Sequence, residues 1–167
     1  LTISPSRAKD YWKADEVISR ALVPLDGSPL AESVLPYVEY LAKGLGLKVL
    51  LTRVVPTYGA YAAVGTALSR EAQDQAMSVA SQYLDGVARR LQAQGLEVEQ
   101  VPLKGAPARE ILQLARRTPQ DIIILATHGY SGLRRWVLGS VTEAVVRASG
   151  DPVLVLPPGA GRSATEM

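Results

Sequence analysis

Apolar residues recur along this chain in two alternating rhythms. Short runs rich in Val, Leu and Ile occur at Arg20–Leu25, Leu47–Val55, Asp121–Ala126 and Val153–Leu156, with a looser, partly alternating run over Leu96–Leu103. Between them, apolar positions return every three or four residues. Ala31, Val34, Leu35, Val38, Leu41 and Ala42 share one helical face, as do Ala72, Ala76, Val79, Ala80, Tyr83, Leu84, Val87, Ala88 and Leu91. Ala108, Ile111, Leu112 and Ala115 mark a third helix. Val141, Ala144, Val145 and Ala148 mark a fourth, over Ser140–Ser149. Strand and helix patterns therefore alternate from first to last. Strands that are unbroken apolar runs predict a parallel sheet covered on both faces, an α/β fold.

Glycines and prolines set the ends. Pro24 lacks a backbone donor and belongs at the end of the first strand. Asp26-Gly27-Ser28-Pro29 predicts a turn and a helix start. Pro36 falls inside the next helical pattern and should kink or locally open one continuous helix, which Gly44 and Gly46 then close. Gly86 lies within the second helix, Gly95 ends it, and Pro107 opens the third. Pro56–Ser69, with Tyr58 and Tyr61, is long for a connection inside a domain, which points to function or mobility. The pattern places one domain over residues 19–158, after an extension over 1–18 that carries Tyr11-Trp12 and before a Gly, Ser and Ala tail over 159–167.

Composition narrows the chemistry. The chain has no cysteine, which excludes disulfides and thiol catalysis. Its one histidine, His128, rules out a multi-histidine metal site within one chain and reads as a structural or backbone-contact residue. A net charge of +2 is too small to argue for nucleic acid or a membrane surface. No apolar run approaches the roughly 20 residues of a membrane span, and Leu1–Arg20 has no signal-peptide core. The expectation is a cytoplasmic protein with neither nucleic acid nor membrane as partner.

The chemistry concentrates in Ala126–Thr142. It follows Ile122-Ile123-Ile124-Leu125 and leads into the last amphipathic segment, so it reads as buried strand, glycine-bearing loop and helix start. Glycine lets a backbone approach a ligand closely, and a helix N-terminus offers free N–H groups and positive dipole to phosphate. Ser140 and Thr142 add hydroxyl donors there. A turn with glycines for geometry alone is the competing reading. In an open α/β sheet, ligands bind beyond the strand ends where the winding reverses. If the first and fourth strands are neighbours, Asp26 and the glycine loop face one crevice, with a carboxylate for ribose or adenine and backbone donors for phosphate. Asp26 as a simple helix cap is the alternative. Arg134-Arg135 suits either phosphate or solvent.

These residues resemble the universal stress proteins. The family's ATP-binding pattern is Gly, two residues, Gly, nine residues, Gly, then Ser or Thr. Here the second and third glycines fall on Gly129 and Gly139, the nine residues are Tyr130 to Leu138, and the hydroxyl is Ser140. Val23–Ser28 and Pro152–Val155 are similar to the family's first and last strands. Ala126 departs from the pattern's first Gly and is tolerated where its dihedrals are ordinary and its methyl points away from the ligand. The resemblance implies an open parallel five-stranded sheet of order 3-2-1-4-5, like the adenine nucleotide alpha hydrolases. It implies ATP with Mg2+ carried by the nucleotide. Pro24, Leu25 and Asp26 would border adenine and ribose, and Val54 would pack on the adenine. Leu125, Ala126, His128 and Gly129 would line the ribose and α-phosphate side, and Gly139, Ser140, Val141 and Thr142 would hold the phosphates. It also implies a homodimer through Val153–Leu156. The expected role is a nucleotide-responsive regulatory module in stress adaptation, with no catalytic residue assigned. A dimeric interaction module without nucleotide, or a slow ATPase, are the alternatives.

Overall fold

The computed structural model describes residues 18–57, 70–117, 121–127 and 139–157. Tyr11-Trp12, most of the Pro56–Ser69 connection, His128, Gly129, Arg134-Arg135 and the C-terminal tail lie outside the described residues.

Among the described residues five strands and five helices follow one another: β1 (Arg20–Pro24), α1 (Pro29–Glu32), α2 (Leu35–Leu45), β2 (Lys48–Val55), α3 (Arg70–Ala93), β3 (Val98–Lys104), α4 (Pro107–Arg117), β4 (Asp121–Ala126), α5 (Ser140–Ala148) and β5 (Val153–Leu156). The strands form one sheet in the order β3-β2-β1-β4-β5, and every pairing is parallel. β1 is central, with Arg20 opposite Lys48 on one side and opposite Asp121 on the other.

The strands bury both faces because their apolar runs are unbroken. Ala21, Val23, Val49, Leu51, Ile122 and Ile124 enter one core, closed by Val34 just before α2, Val38 of α2, and Leu84 and Val87 of α3. Leu22, Leu50, Ile123, Leu125 and Val153 enter the other, closed by Ile111 and Ala115 of α4 and Val145 of α5. Successive residues thus alternate faces, as the pleat requires. β3 is an edge strand, and its mixed sequence leaves it half-buried. Its neighbour supplies one polar anchor to it, since buried Thr52 donates its hydroxyl to the Val101 carbonyl at 2.7 Å.

The expected single helix around Pro36 is two helices. The chain turns at Ser33 and Val34, α1 ends there, and Pro36 occupies the first turn of α2. Proline is at home at that position because its missing N–H would have no partner there anyway, so the break precedes it instead of occurring at it. Gly44 does not end α2 but lies within it. Gly46 ends it in the left-handed conformation, φ 67°.

Candidate functional site

The winding direction reverses between β1 and β4, and a cleft of about 180 Å³ opens at their carboxyl ends. Pro24, Leu25 and Asp26 form one wall, with Val54 of β2 beside them. Leu125 and Ala126 form the opposite wall, and Gly139, Ser140, Val141 and Thr142 close it at the start of α5. These are ten of the residues expected from sequence, and they are brought together from four separate stretches of chain. His128 and Gly129 lie outside the described residues. Sequence reasoning missed Ser28, Leu30 and Ala31 on the α1 side, and Pro107 and Ile111 of α4, which also line the cleft. Ile111 was assigned to a buried helical face, and nothing in its spacing distinguishes a core position from the top of the core.

Asp26 does not cap α1. Its Oδ1 accepts the Ser28 N–H at 2.8 Å, and Ser28 is the cap, its Oγ accepting the Ala31 N–H at 3.1 Å. Asp26 itself is exposed, and its second carboxylate oxygen has no partner among the described residues. The turn passes through Gly27 at φ 89°, a conformation strained for any residue with a Cβ.

On the other wall, Ala126 is an ordinary strand residue, in register with Leu156. It shares the pleat of Ile122 and Ile124 and packs on their core cluster. Alanine therefore meets no backbone strain where the family pattern has glycine. Gly139 precedes α5 at φ −62°, ψ 154°, dihedrals open to any residue. Its lack of a side chain is therefore not demanded by the backbone. Among the first N–H groups of α5, that of Glu143 is bonded to the Gly139 carbonyl at 2.8 Å, while helix geometry leaves those before it without intrahelical partners. Thr142 lines the cleft but is not a free donor. It is buried, and its hydroxyl donates to the Ala126 carbonyl at 3.2 Å.

A second cavity, of about 400 Å³, lies beyond Val54, between β2 and the first turns of α3. Arg53 lines it, with its guanidinium carbon 4.9 Å from the centre of the Tyr83 ring. Tyr83 donates its hydroxyl to Glu32 Oε1 at 2.9 Å, and Arg90 Nη2 donates to Oε2 at 2.6 Å. Burial pushes the Tyr83 hydroxyl well above its ordinary pKa, and the Glu32 hydrogen bond and charge add to this against the opposing charges of Arg53 and Arg90. At the opposite end of the sheet, Glu97 holds Lys48 in its charged form through a 2.6 Å contact. That pair is solvent-exposed and contributes little to stability.

A doubly wound parallel sheet with a crevice at its point of reversal, bounded by a carboxylate and a helix N-terminus, places the chain in the class of open α/β domains. The family model described as the universal stress protein family matches residues 18–157, and the chain belongs to that family. Universal stress protein MJ0531 of Methanocaldococcus jannaschii is 27% identical over 150 residues, which cover 85% of this chain and 84% of that protein. The solved structure of MJ0577, from the same organism, superposes with a TM-score of 0.71 at 28% identity over 84% of this chain and 96% of its own. A universal stress protein from Archaeoglobus fulgidus, solved in complex with dAMP, shares the fold at a TM-score of 0.62 and 20% identity over 83% of this chain and 98% of its own. Among the described residues no helix is long and apolar enough to cross a membrane.

Proposed function

We propose that this protein binds ATP in the cleft between the ends of β1 and β4 and works as a nucleotide-responsive regulatory module. The observation that carries the reading is the convergence of Asp26, Ala126 and Gly139–Thr142 on one crevice at the reversal of the sheet. Asp26 has a carboxylate oxygen available for ribose hydroxyls, and Val54 offers an apolar surface to adenine. The N–H groups that open α5 and the Ser140 hydroxyl suit phosphate oxygens, and a residue without a side chain at 139 leaves room for them. His128 and Gly129 complete this reading from the sequence pattern. Mg2+ would arrive with the phosphates, whose charge it offsets. The dAMP complex of the Archaeoglobus fulgidus relative is consistent with an adenine nucleotide as ligand.

β5 supports a second part of the proposal, a homodimer through Val153–Leu156. Among the described residues it pairs only with β4, and its other edge, beside half-buried Leu154, Val155 and Leu156, has no strand on it there.

The test is chemical. Protein purified without added nucleotide is denatured, and the released small molecules are identified by liquid chromatography and mass spectrometry. The emptied protein is then titrated with Mg-ATP by calorimetry. Co-purified adenine nucleotide, or a dissociation constant of micromolar order (about −8 kcal/mol), supports the reading. Neither nucleotide nor heat at millimolar ATP overturns it in favour of an interaction module.

A further inference from the structure

We infer that Arg53 is a positioning residue for the nucleotide site, holding the Asp26–Ser28 turn through a guanidinium plate that never touches the ligand. The inference rests on the nucleotide reading above and adds a determinant of ribose recognition to it.

Backbone bonds fix the ends of the turn: the Leu25 N–H bonds to the Thr52 carbonyl before it, and the Glu32 N–H to the Ser28 carbonyl after it. Within it, the Ser28 N–H bonds to Asp26 and the Ala31 N–H to the Ser28 hydroxyl, and Gly27 between Asp26 and Ser28 has the conformational freedom of glycine. What backs it is Arg53. A Cβ on Gly27 would lie 3.2 Å from Arg53 Cζ and Nη1 and 3.3 Å from Nη2, so the guanidinium faces Gly27 with all three atoms at nearly one distance. Among the described residues Arg53 makes no ion pair, and its guanidinium lies against this turn and the Tyr83 ring.

The plate is itself held. Tyr83 is fixed by its hydroxyl to Glu32, and Arg90 takes the other Glu32 oxygen. Glu32 belongs to α1, the helix that the turn begins. The contacts therefore close a ring: turn, α1, Glu32, Tyr83, Arg53 and back to the turn. A carboxylate that reads ribose hydroxyls is effective only when its backbone is preorganised, because small displacements lengthen its hydrogen bonds. The Arg side chain suits this task through its rigid, planar group, which stacks on an aromatic face; lysine shares the charge but has no plate.

The test compares affinities of the wild type, Arg53→Met, Arg53→Lys and Tyr83→Phe for Mg-ATP and for its 2′-deoxy and 3′-deoxy analogues by calorimetry, with thermal unfolding as the check on folding. The wild type is expected to prefer ATP to at least one analogue. Arg53→Met is expected to lose ATP affinity about ten-fold, the size of one hydrogen bond to a charged group, and to lose most of that preference. Arg53→Lys should behave like Arg53→Met, and Tyr83→Phe should fall between them and the wild type. If Arg53→Met does not fold, the Tyr83→Phe and Arg53→Lys proteins read the same ratio. An unchanged ATP-to-deoxy ratio in folded variants, or an equal loss for all three ligands, overturns the positioning role and leaves the nucleotide site standing. A wild type that binds none of the three overturns the nucleotide reading and this inference with it.

Discussion

The Thr142 hydroxyl donates to the Ala126 carbonyl at 3.2 Å, fastening the first turn of α5 to the end of β4. Both walls of the cleft's phosphate side are thus one unit. Thr142→Val keeps the shape and leaves the half-buried Ala126 carbonyl short of a donor. Unfolding in urea should show a loss of about 1–3 kcal/mol. Thr142→Ser, which keeps the hydroxyl, should lose less. A larger loss in Thr142→Ser than in Thr142→Val would mean that packing of the methyl, and not this hydrogen bond, matters at position 142.

Gly139→Val separates fold from ligand. The dihedrals at 139, φ −62° and ψ 154°, suit a β-branched residue. The thermal midpoint should therefore stay close to wild type. Nucleotide binding should disappear, because a branched side chain then occupies the approach to the α5 N–H groups. Retained ATP affinity in the calorimeter would exclude this placement of the phosphates.

Tyr83 gives the protein an alkaline liability of definite sign. Its folded-state pKa is raised above the ordinary value of 10.0. The unfolded chain therefore ionises first as pH rises, and stability that is fully present below pH 10 is lost progressively above it. Tyr83→Phe removes the ionising group. Its stability should fall less steeply than the wild type's above pH 10, although it starts lower for want of the Glu32 bond. Denaturation curves across the alkaline range check this, and parallel slopes would contradict it.

The β5 edge admits a selective disruption. The Ile123 and Thr127 N–H groups bond to the Pro152 and Leu156 carbonyls. Alternate residues of a strand point their backbone groups the same way, so Val155 turns its N–H to the open edge. Val155→Pro removes that donor while sparing the β4 ladder. If the proposed dimer forms through this edge, light scattering should show a dimer for the wild type and a monomer for the variant. A wild-type monomer, or a variant that remains dimeric, would rule the edge out.

The parts of the fold written in apolar period were legible in the sequence. β4 and β5 begin and end where their runs do, and the sheet order follows the family resemblance. Pro36 was misread because a proline interrupting a periodic pattern looks the same whether it kinks one helix or opens a second. The position of Pro24–Asp26 opposite Gly139–Thr142 was legible because both lie at ends of predicted elements. The partner of the Thr142 hydroxyl was not legible, since a side-chain bond to a carbonyl far back in the sequence leaves no local trace. Arg53 escaped for a similar reason. It lies near the end of an otherwise largely apolar strand, and only the tertiary structure sets it against Gly27 and Tyr83.

β1 reaches its second neighbour only when Asp121 and the residues after it are in place. During translation the first strand can join β2 early, yet its other edge waits for a strand encoded much later, and α5 later still. No fragment ending within α4 has the wall built from Leu125, Ala126 and Gly139–Thr142. A chain that lacks β4 therefore leaves one edge of an apolar strand unpaired, and the cleft at the reversal of the sheet is complete only once the last elements have docked.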